Sequence, residues 1–148
     1  MLVTLEFKVD CTKYTCLACG GHGCKHCNEK GFYTRAISIN EGYTNHKHTG
    51  RRLLTASARS WKKHITETVF FEVLQGKQLN IPEPEHFGLN FQWTFPDKRK
   101  RDPDNYAKFV KDSLTGLIYE DDNQVYTERY DKRIVKGVWG LTVKVETI

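Results

Sequence analysis

Val3, Leu5, Phe7 and Val9 alternate with polar residues, which is the period of a half-buried strand. A cluster of cysteines interrupts the pattern. Residues 32–39 resume it as a second strand, with Ile37 and Ile39 on one face. Residues 41–52 are polar and rich in His, Lys and Gly, and predict a mobile loop. Residues 53–74 predict a helix, with Trp61, Ile65, Val69 and Leu74 at core spacing, although the β-branched residues from Thr66 to Val69 weigh against it. Pro82 and Pro84 then break the chain. Leu89, Phe91, Trp93 and Phe95 alternate cleanly and predict a strand that ends at Pro96. Asp102 suits an N-cap and Pro103 a first helical position, and Tyr106, Phe109, Val110, Leu114 and Leu117 follow on one helical face. Residues 125–135 and 138–145 predict two further strands joined at Lys136-Gly137. The order is roughly β-α-β-α-β-β. This is an α+β class in a single small domain spanning 1–148, with the cysteine segment at 11–31 as an insertion.

Charge changes this picture more than composition does. The 148 residues fit one core, and 23 Lys+Arg against 18 Asp+Glu leave a net charge of +5. Between positions 35 and 64 the basic residues are Arg35, Lys47, Arg51, Arg52, Arg59, Lys62 and Lys63, opposed only by Glu41. A second basic run, Lys98-Arg99-Lys100-Arg101, precedes acids that gather between Asp102 and Asp131. A solvated surface explains many charge runs, but this segregation of sign favours a nucleic-acid partner. Arg51, Arg52, Lys62, Lys63 and Lys98 to Arg101 are the candidate contacts to its backbone. No apolar run approaches a membrane span, and no signal-peptide core is present. Five cysteines packed between Cys11 and Cys27 make a poor disulfide framework, so a reducing, cytoplasmic setting is expected.

The acids carry the candidate chemistry. Asp102 and Asp104 stand at a helix start, and Lys108 lies about 40° from Asp104 on the helical wheel, where it can reach a phosphate held beside that carboxylate. Glu120-Asp121-Asp122 precedes a strand, and a return beside the helix start is expected. Hard oxygen ligands with room for water and phosphate suit magnesium. The plainer alternative is that Asp102 caps, Asp104 favours the helix dipole and the later acids form a polar turn. Spacing alone leaves both readings open.

The run Arg99-Lys100-Arg101-Asp102-Pro103-Asp104-Asn105-Tyr106-Ala107-Lys108, followed by Asp112-Ser113-Leu114-Thr115-Gly116 and Glu120-Asp121-Asp122-Asn123-Gln124-Val125, resembles the RusA family of Holliday junction resolvases. The ordered set is far more specific than any Asp-x-Asp alone. The resemblance implies a magnesium-dependent homodimer that cuts branched DNA in recombination and repair, of a type often encoded by bacteriophages, without an organic cofactor. It also implies that Asp102, Asp104 and Asp122 are metal-binding catalytic acids and Lys108 a catalytic lysine. Asn105 and Asp121 are adjacent motif positions. The chain departs from the family pattern in lacking a Pro-rich opening, with Ser38-Ile39-Asn40 in its place, and in a spacing before the Asp121-Asp122 pair that is one residue short. Both departures bear on the preferred DNA structure.

Cys16-x-x-Cys19 and Cys24-x-x-Cys27 flank a Gly-rich reversal, and four thiolates in a closed tetrahedral set suit structural zinc. The stretch from Cys16 to Gly23 resembles the cysteine-rich unit of DnaJ, over fewer than twenty residues, and implies a zinc fold without chaperone activity. Redox-active thiols and an iron–sulfur cluster are the alternatives. Cys11 reads as a spare, and His22 and His26 as substitute ligands. Lys25, His26 and Lys30 are candidate DNA contacts on this knuckle. Two rival functions stand beside the nuclease: a non-catalytic zinc-finger DNA-binding or regulatory protein, and a zinc-stabilised protein-interaction module.

Overall fold

The structure is a computed structural model and describes residues 4–74 and 86–148. Val3, Pro82, Pro84 and the side chain of Leu74 lie outside the described residues. In chain order, β1 (Thr4–Val9) leads into a short antiparallel pair, β2 (Tyr14–Thr15) and β3 (Phe32–Tyr33). One helical turn, α1 (Ile39–Gly42), and a hairpin, β4 (Tyr43–Asn45) with β5 (Arg52–Leu54), come next. The long elements follow: α2 (Ala56–Leu74), β6 (Phe87–Phe95), α3 (Pro103–Leu114), β7 (Val125–Ile134) and β8 (Gly140–Thr147). With the short pairs set aside, this is the expected β-α-β-α-β-β order of an α+β domain.

The main sheet runs β1-β8-β6-β7, antiparallel except for the parallel pair of β6 with β7. Alternation does the work in β1, where Leu5, Phe7 and Val9 are buried and Thr4, Glu6 and Lys8 exposed. Leu89, Phe91, Trp93 and Phe95 of β6 are likewise buried, as are Leu141, Val143 and Val145 of β8. Trp61, Ile65 and Val69 of α2 join the same core, with Phe109, Val110 and Leu114 of α3. Each such side chain contributes roughly 1.5–3 kcal/mol by leaving water. That burial overrides the weak helix propensity of the stretch ending at Val69.

Three expectations are corrected. Residues 32–39 are not one strand: only Phe32 and Tyr33 pair, and Ile39 opens α1. Ser38, Glu41 and the short turn between them explain this, because the Ser38 N–H donates to the Glu41 carboxylate at 3.4 Å in a capping arrangement that ends extended structure. Residues 41–52 are not a plain loop, since Tyr43 pairs with Leu54 and the Arg52 guanidinium lies 3.8 Å from the Tyr43 ring centroid. Leu53 and Leu54 belong to that hairpin, and the helix begins after Thr55, whose hydroxyl accepts the Ala58 N–H at 3.3 Å. β7 and β8, joined at Lys136-Gly137 as expected, do not pair with each other. The Lys136-Gly137 connection crosses the end of β6, with the Val135 N–H on the Phe95 carbonyl at 3.0 Å and that of Gly137 on Pro96 at 2.9 Å. Among the described residues, no helix is long and apolar enough to cross a membrane.

Candidate active site and thiolate cluster

The start of α3 takes the expected form. Asp102 is the N-cap, its carboxylate accepts the Asp104 N–H at 3.1 Å, and Pro103 follows at the first helical position. Both acids are exposed. Asp104, Lys108 and Asp112 recur at i, i+4 and i+8, so they form one stripe away from the buried face of α3. The Lys108 ammonium lies 3.5 Å from Asp112 Oδ2, one turn beyond Asp104 rather than at it.

β7 adds groups that the sequence reading missed. The Tyr130 hydroxyl donates to Asp104 Oδ1 at 3.3 Å and also to Glu128, while its ring stacks on Phe91 at 5.3 Å. Burial, then the negative charges of Glu128 and Asp104, push the Tyr130 phenol well up, so it stays protonated and remains a donor. Burial opposes ionisation of Glu128, but hydrogen bonds from Lys111 and Tyr130 outweigh it and hold the carboxyl below its usual range. The Lys111 ammonium is 2.8 Å from Glu128 Oε1. Glu128, Tyr130 and Lys132 are two residues apart and share a strand face by pleat alone. Nothing in the sequence says that this face meets α3.

Asp122 is placed elsewhere. The motif Glu120 to Gln124 folds into a self-capping turn in which Asp121 accepts the Asn123 N–H at 2.9 Å. Gln124 Oε1 accepts the N–H groups of Glu120 and Asp121 at 2.8 and 3.2 Å. The parallel register pairs Phe87 with Val125 and Phe95 with Ile134, so this turn lies at the end of the sheet where β6 begins. Asp102 follows the other end. The 12 residues of α3 separate them by about 18 Å. The expected return of the acidic turn to the helix start is therefore corrected: the helix carries the chain the length of the sheet, and the turn stays there. Among the described residues, the only group of three or more His, Cys, Asp or Glu side chains close enough to hold one ion is the cysteine set.

The basic candidates divide. Arg51, Lys98, Arg99 and Lys100 are exposed, Lys62 is half-buried, and Lys63 is exposed but lies 3.5 Å from Glu67. Arg101 is different. Its guanidinium meets Asp97 at 2.6 Å, lies 5.5 Å from the Phe95 ring and 4.9 Å from that of Trp139, and its side chain is only 11% exposed. This residue holds the 97–102 loop on the sheet and is not free to reach a phosphate. Arg101→Ala should lower stability, with the aromatic stacking alone worth about 1–2 kcal/mol. Lys98→Ala should leave the melting curve unchanged. Equal denaturation midpoints for the two variants would contradict this division.

The thiolate cluster is compact. Cys16 Sγ lies 3.9 Å from Cys24 Sγ, and Cys27 Sγ lies 3.8 Å from both Cys19 and Cys24. Tetrahedral zinc with bonds of about 2.3 Å would set its sulfurs about 3.8 Å apart, so the donor set fits that ion. Backbone donors surround the sulfurs: Gly23 N–H on Cys19 at 3.2 Å, and Cys24 and Gly31 N–H on Cys27 at 3.3 and 3.1 Å. Burial opposes charge on Cys27, yet the Cys24 and Gly31 N–H groups together with hydrogen bonds to the Cys24 and Cys19 side chains outweigh it and bring the thiol down to about 6. Gly31 has φ +80°, and a Cβ there would come within 2.3 Å of the Gly21 carbonyl, so only glycine closes the loop. Cys11 stays outside the set: burial, then the Asp10 charge, raise its thiol to about 12. His22 and His26 are exposed and contribute no ligand to the group.

The knuckle is rooted in the main domain. The Leu17 N–H donates to Ser60 Oγ at 3.0 Å, and the Tyr14 ring packs 5.3 Å from Trp61 and 4.9 Å from His64. Cys16 and Cys27 belong to the same buried cluster as the sheet. Lys25, His26 and Lys30 face outward.

No curated protein matches this chain in sequence. The family model described as Endodeoxyribonuclease RusA matches residues 36–146. That span holds α1, both long helices, the Asp104-Lys108 stripe, the Asp121-Asp122 turn and three of the four strands of the main sheet. It omits β1 and the thiolate cluster. Since the match covers well over half the chain, and includes every acid and the lysine singled out on α3 and its following turn, the protein is an enzyme that hydrolyses DNA and belongs to the RusA endodeoxyribonuclease family.

Proposed function

We propose that the chain is a homodimeric, magnesium-dependent endonuclease that cuts Holliday junctions and related branched DNA during recombination and repair. In this reading Asp102 and Asp104 of one subunit share a metal site with Asp122 of the partner subunit. The observation that carries it is the geometry of the three acids: the family motif is intact, yet one chain holds Asp122 about 18 Å of helix away from the other two. Two carboxylates make an incomplete site for a hard cation, and a two-fold related copy supplies the third. A junction of two-fold symmetry also needs one nick on each side.

When bound, magnesium would supply an activated water and stabilise charge on the phosphate oxygens. The protein's own groups do the rest. The Asp102 cap fixes the helix start, Tyr130 holds Asp104 by a hydrogen bond, and Lys108 swings from Asp112 to the scissile phosphate as charge develops there. Arg51, Arg52, Lys62, Lys63, Lys98, Arg99 and Lys100 serve as backbone contacts, which give affinity for a shape rather than a sequence. The four cysteines hold structural zinc. The domain spans 1–148 with the knuckle at 11–31 inserted, a division supported by the pairing of β1 with β8. Such an enzyme acts in the cytoplasm of a bacterial or phage-infected cell.

Cleavage of a labelled four-way junction in magnesium, with EDTA as control, tests the reading against a non-catalytic DNA-binding protein. Light scattering should report a dimer. Lys108→Ala should lower turnover by about 10²–10³-fold with junction affinity nearly unchanged, because its partner is charge that exists only in the transition state. Equal losses in binding and turnover would make Lys108 a simple backbone contact.

A further inference from the structure

A cavity of about 540 Å³ opens beside Asp102, between three separate parts of the chain. Asn40 of α1, Lys100 of the 97–102 loop, Asn105 and Tyr106 of α3, and Lys132 of β7 line it. Its volume lies in the range of sites that take a small ligand or part of a larger one. The walls are fixed. Gly42, at the end of α1, sits so close to α3 that a Cβ there would come within 2.2 Å of the Phe109 ring, which holds the Asn40 turn against the helix.

The chemistry of the lining is that of a phosphodiester site. Two amides, two ammonium groups and the carboxylate of Asp102 line one space. Arg101 also borders it, but Asp97 engages its guanidinium, so the lysines supply the free charge. Lys132 spends one N–H on the Arg101 carbonyl at 3.3 Å. Among the described residues it has no carboxylate partner within ion-pair distance, and neither has Lys100. An ammonium tethered by one backbone bond, lining a polar cavity with donors to spare, suits an anionic oxygen.

We propose that this cavity receives the phosphodiester next to the one that is cut, gripped by Lys132 and by the amide of Asn40. The inference rests on the endonuclease reading and adds two substrate-binding residues to it. Their task is to set the register of the strand against Asp102 and Asp104. Neither residue belongs to the acid–lysine motif. Asn40 lies in the segment that stands in place of the Pro-rich opening, and Lys132 in β7.

The test pairs protein variants with neutralised phosphates. Four-way junctions carry a single methylphosphonate at each phosphate flanking the cut site. Binding is measured in calcium and single-turnover cleavage in magnesium. At one flanking position the neutral linkage should weaken wild-type binding and cleavage about tenfold, and Lys132→Ala should impose the same loss on unmodified DNA. Combining them should cost little more than either alone, because both remove one contact. Lys132→Ala should also reduce the slope of log K against log salt by about one. Asn40→Ala should show the same non-additivity with a smaller loss. Insensitivity at every flanking phosphate, or losses that multiply, would overturn the proposal. A chain that binds junctions yet never cuts them overturns the endonuclease reading instead, and the calcium binding series still judges the cavity.

Discussion

Mixing Asp104→Asn chains with Asp122→Asn chains should restore cleavage that neither variant performs alone. On the proposed arrangement each homodimer loses a metal-binding charge at both of its sites, and its rate should fall by about 10³-fold or more, some 4 kcal/mol of transition-state stabilisation. Junction binding should survive, because asparagine keeps the shape and removes charge that repels phosphate. In a mixed dimer with shared sites, one site carries both lesions and the other carries none. Random exchange of subunits then leaves about a quarter of the sites intact, and each mixed dimer nicks one strand rather than two. If Asp102, Asp104 and Asp122 acted within one chain, every site in the mixture would be broken and no activity would return. The outcome therefore reads the arrangement of the acids directly. It follows from the register of β6 with β7, which fixes Asp122 at the opposite end of α3 from Asp104.

The start of α3 was legible because its signals are local. Asp102 and Pro103 mark the helix start, and Tyr106, Phe109, Val110 and Leu114 repeat at its period, so chemistry and structure share one stretch of sequence. β6 was legible for the same reason, through the alternation from Leu89 to Phe95. The placement of Asp122 was not, because it depends on which strand β7 joins and in which direction. Hydrophobic period gives neither. The same blindness hid the passage of the β7–β8 connection over the end of β6, where two strands close in sequence turn out to be separated by a third. The α1 turn is a different kind of miss. Ser38 and Glu41 carry the spacing of a capping box, but the apolar alternation of Ile37 and Ile39 suggested a strand, and here local capping won. Arg101 illustrates the limit of counting charge. Four basic residues in a row look equivalent, yet Asp97 four positions earlier and two aromatic rings remove one of them from the binding surface.

Replacing Cys16 and Cys19 with Ser should lower the melting temperature by at least about 10 °C, given about 2–4 °C per kcal/mol at this chain length. An isolated knuckle could unfold with no consequence beyond itself. This one cannot, because Cys16 is fully buried in the cluster that contains the sheet, and Tyr14 and Leu17 anchor it to Trp61, His64 and Ser60 of α2. Zinc bound to the folded knuckle, as proposed, would therefore stabilise the domain through that shared core. Its loss should expose the Tyr14 and Trp61 contacts and free the end of β1. The acids proposed to be catalytic lie on the other side of the fold's connectivity, on α3 and before β7, so cleavage should persist at temperatures below the lowered transition. Brief EDTA should separate the two proposed metals. Carboxylate magnesium keeps much of its water and exchanges freely, whereas a closed set of four thiolates holds zinc far more tightly. Cutting should stop and return on addition of magnesium alone, with about one zinc per chain retained by mass spectrometry throughout. Zinc content that stays the same in the double Ser variant would remove the cysteines from the metal site. An unchanged melting temperature would remove the knuckle from the core, and recovery of cutting with zinc rather than magnesium would reverse the assignment of the two ions.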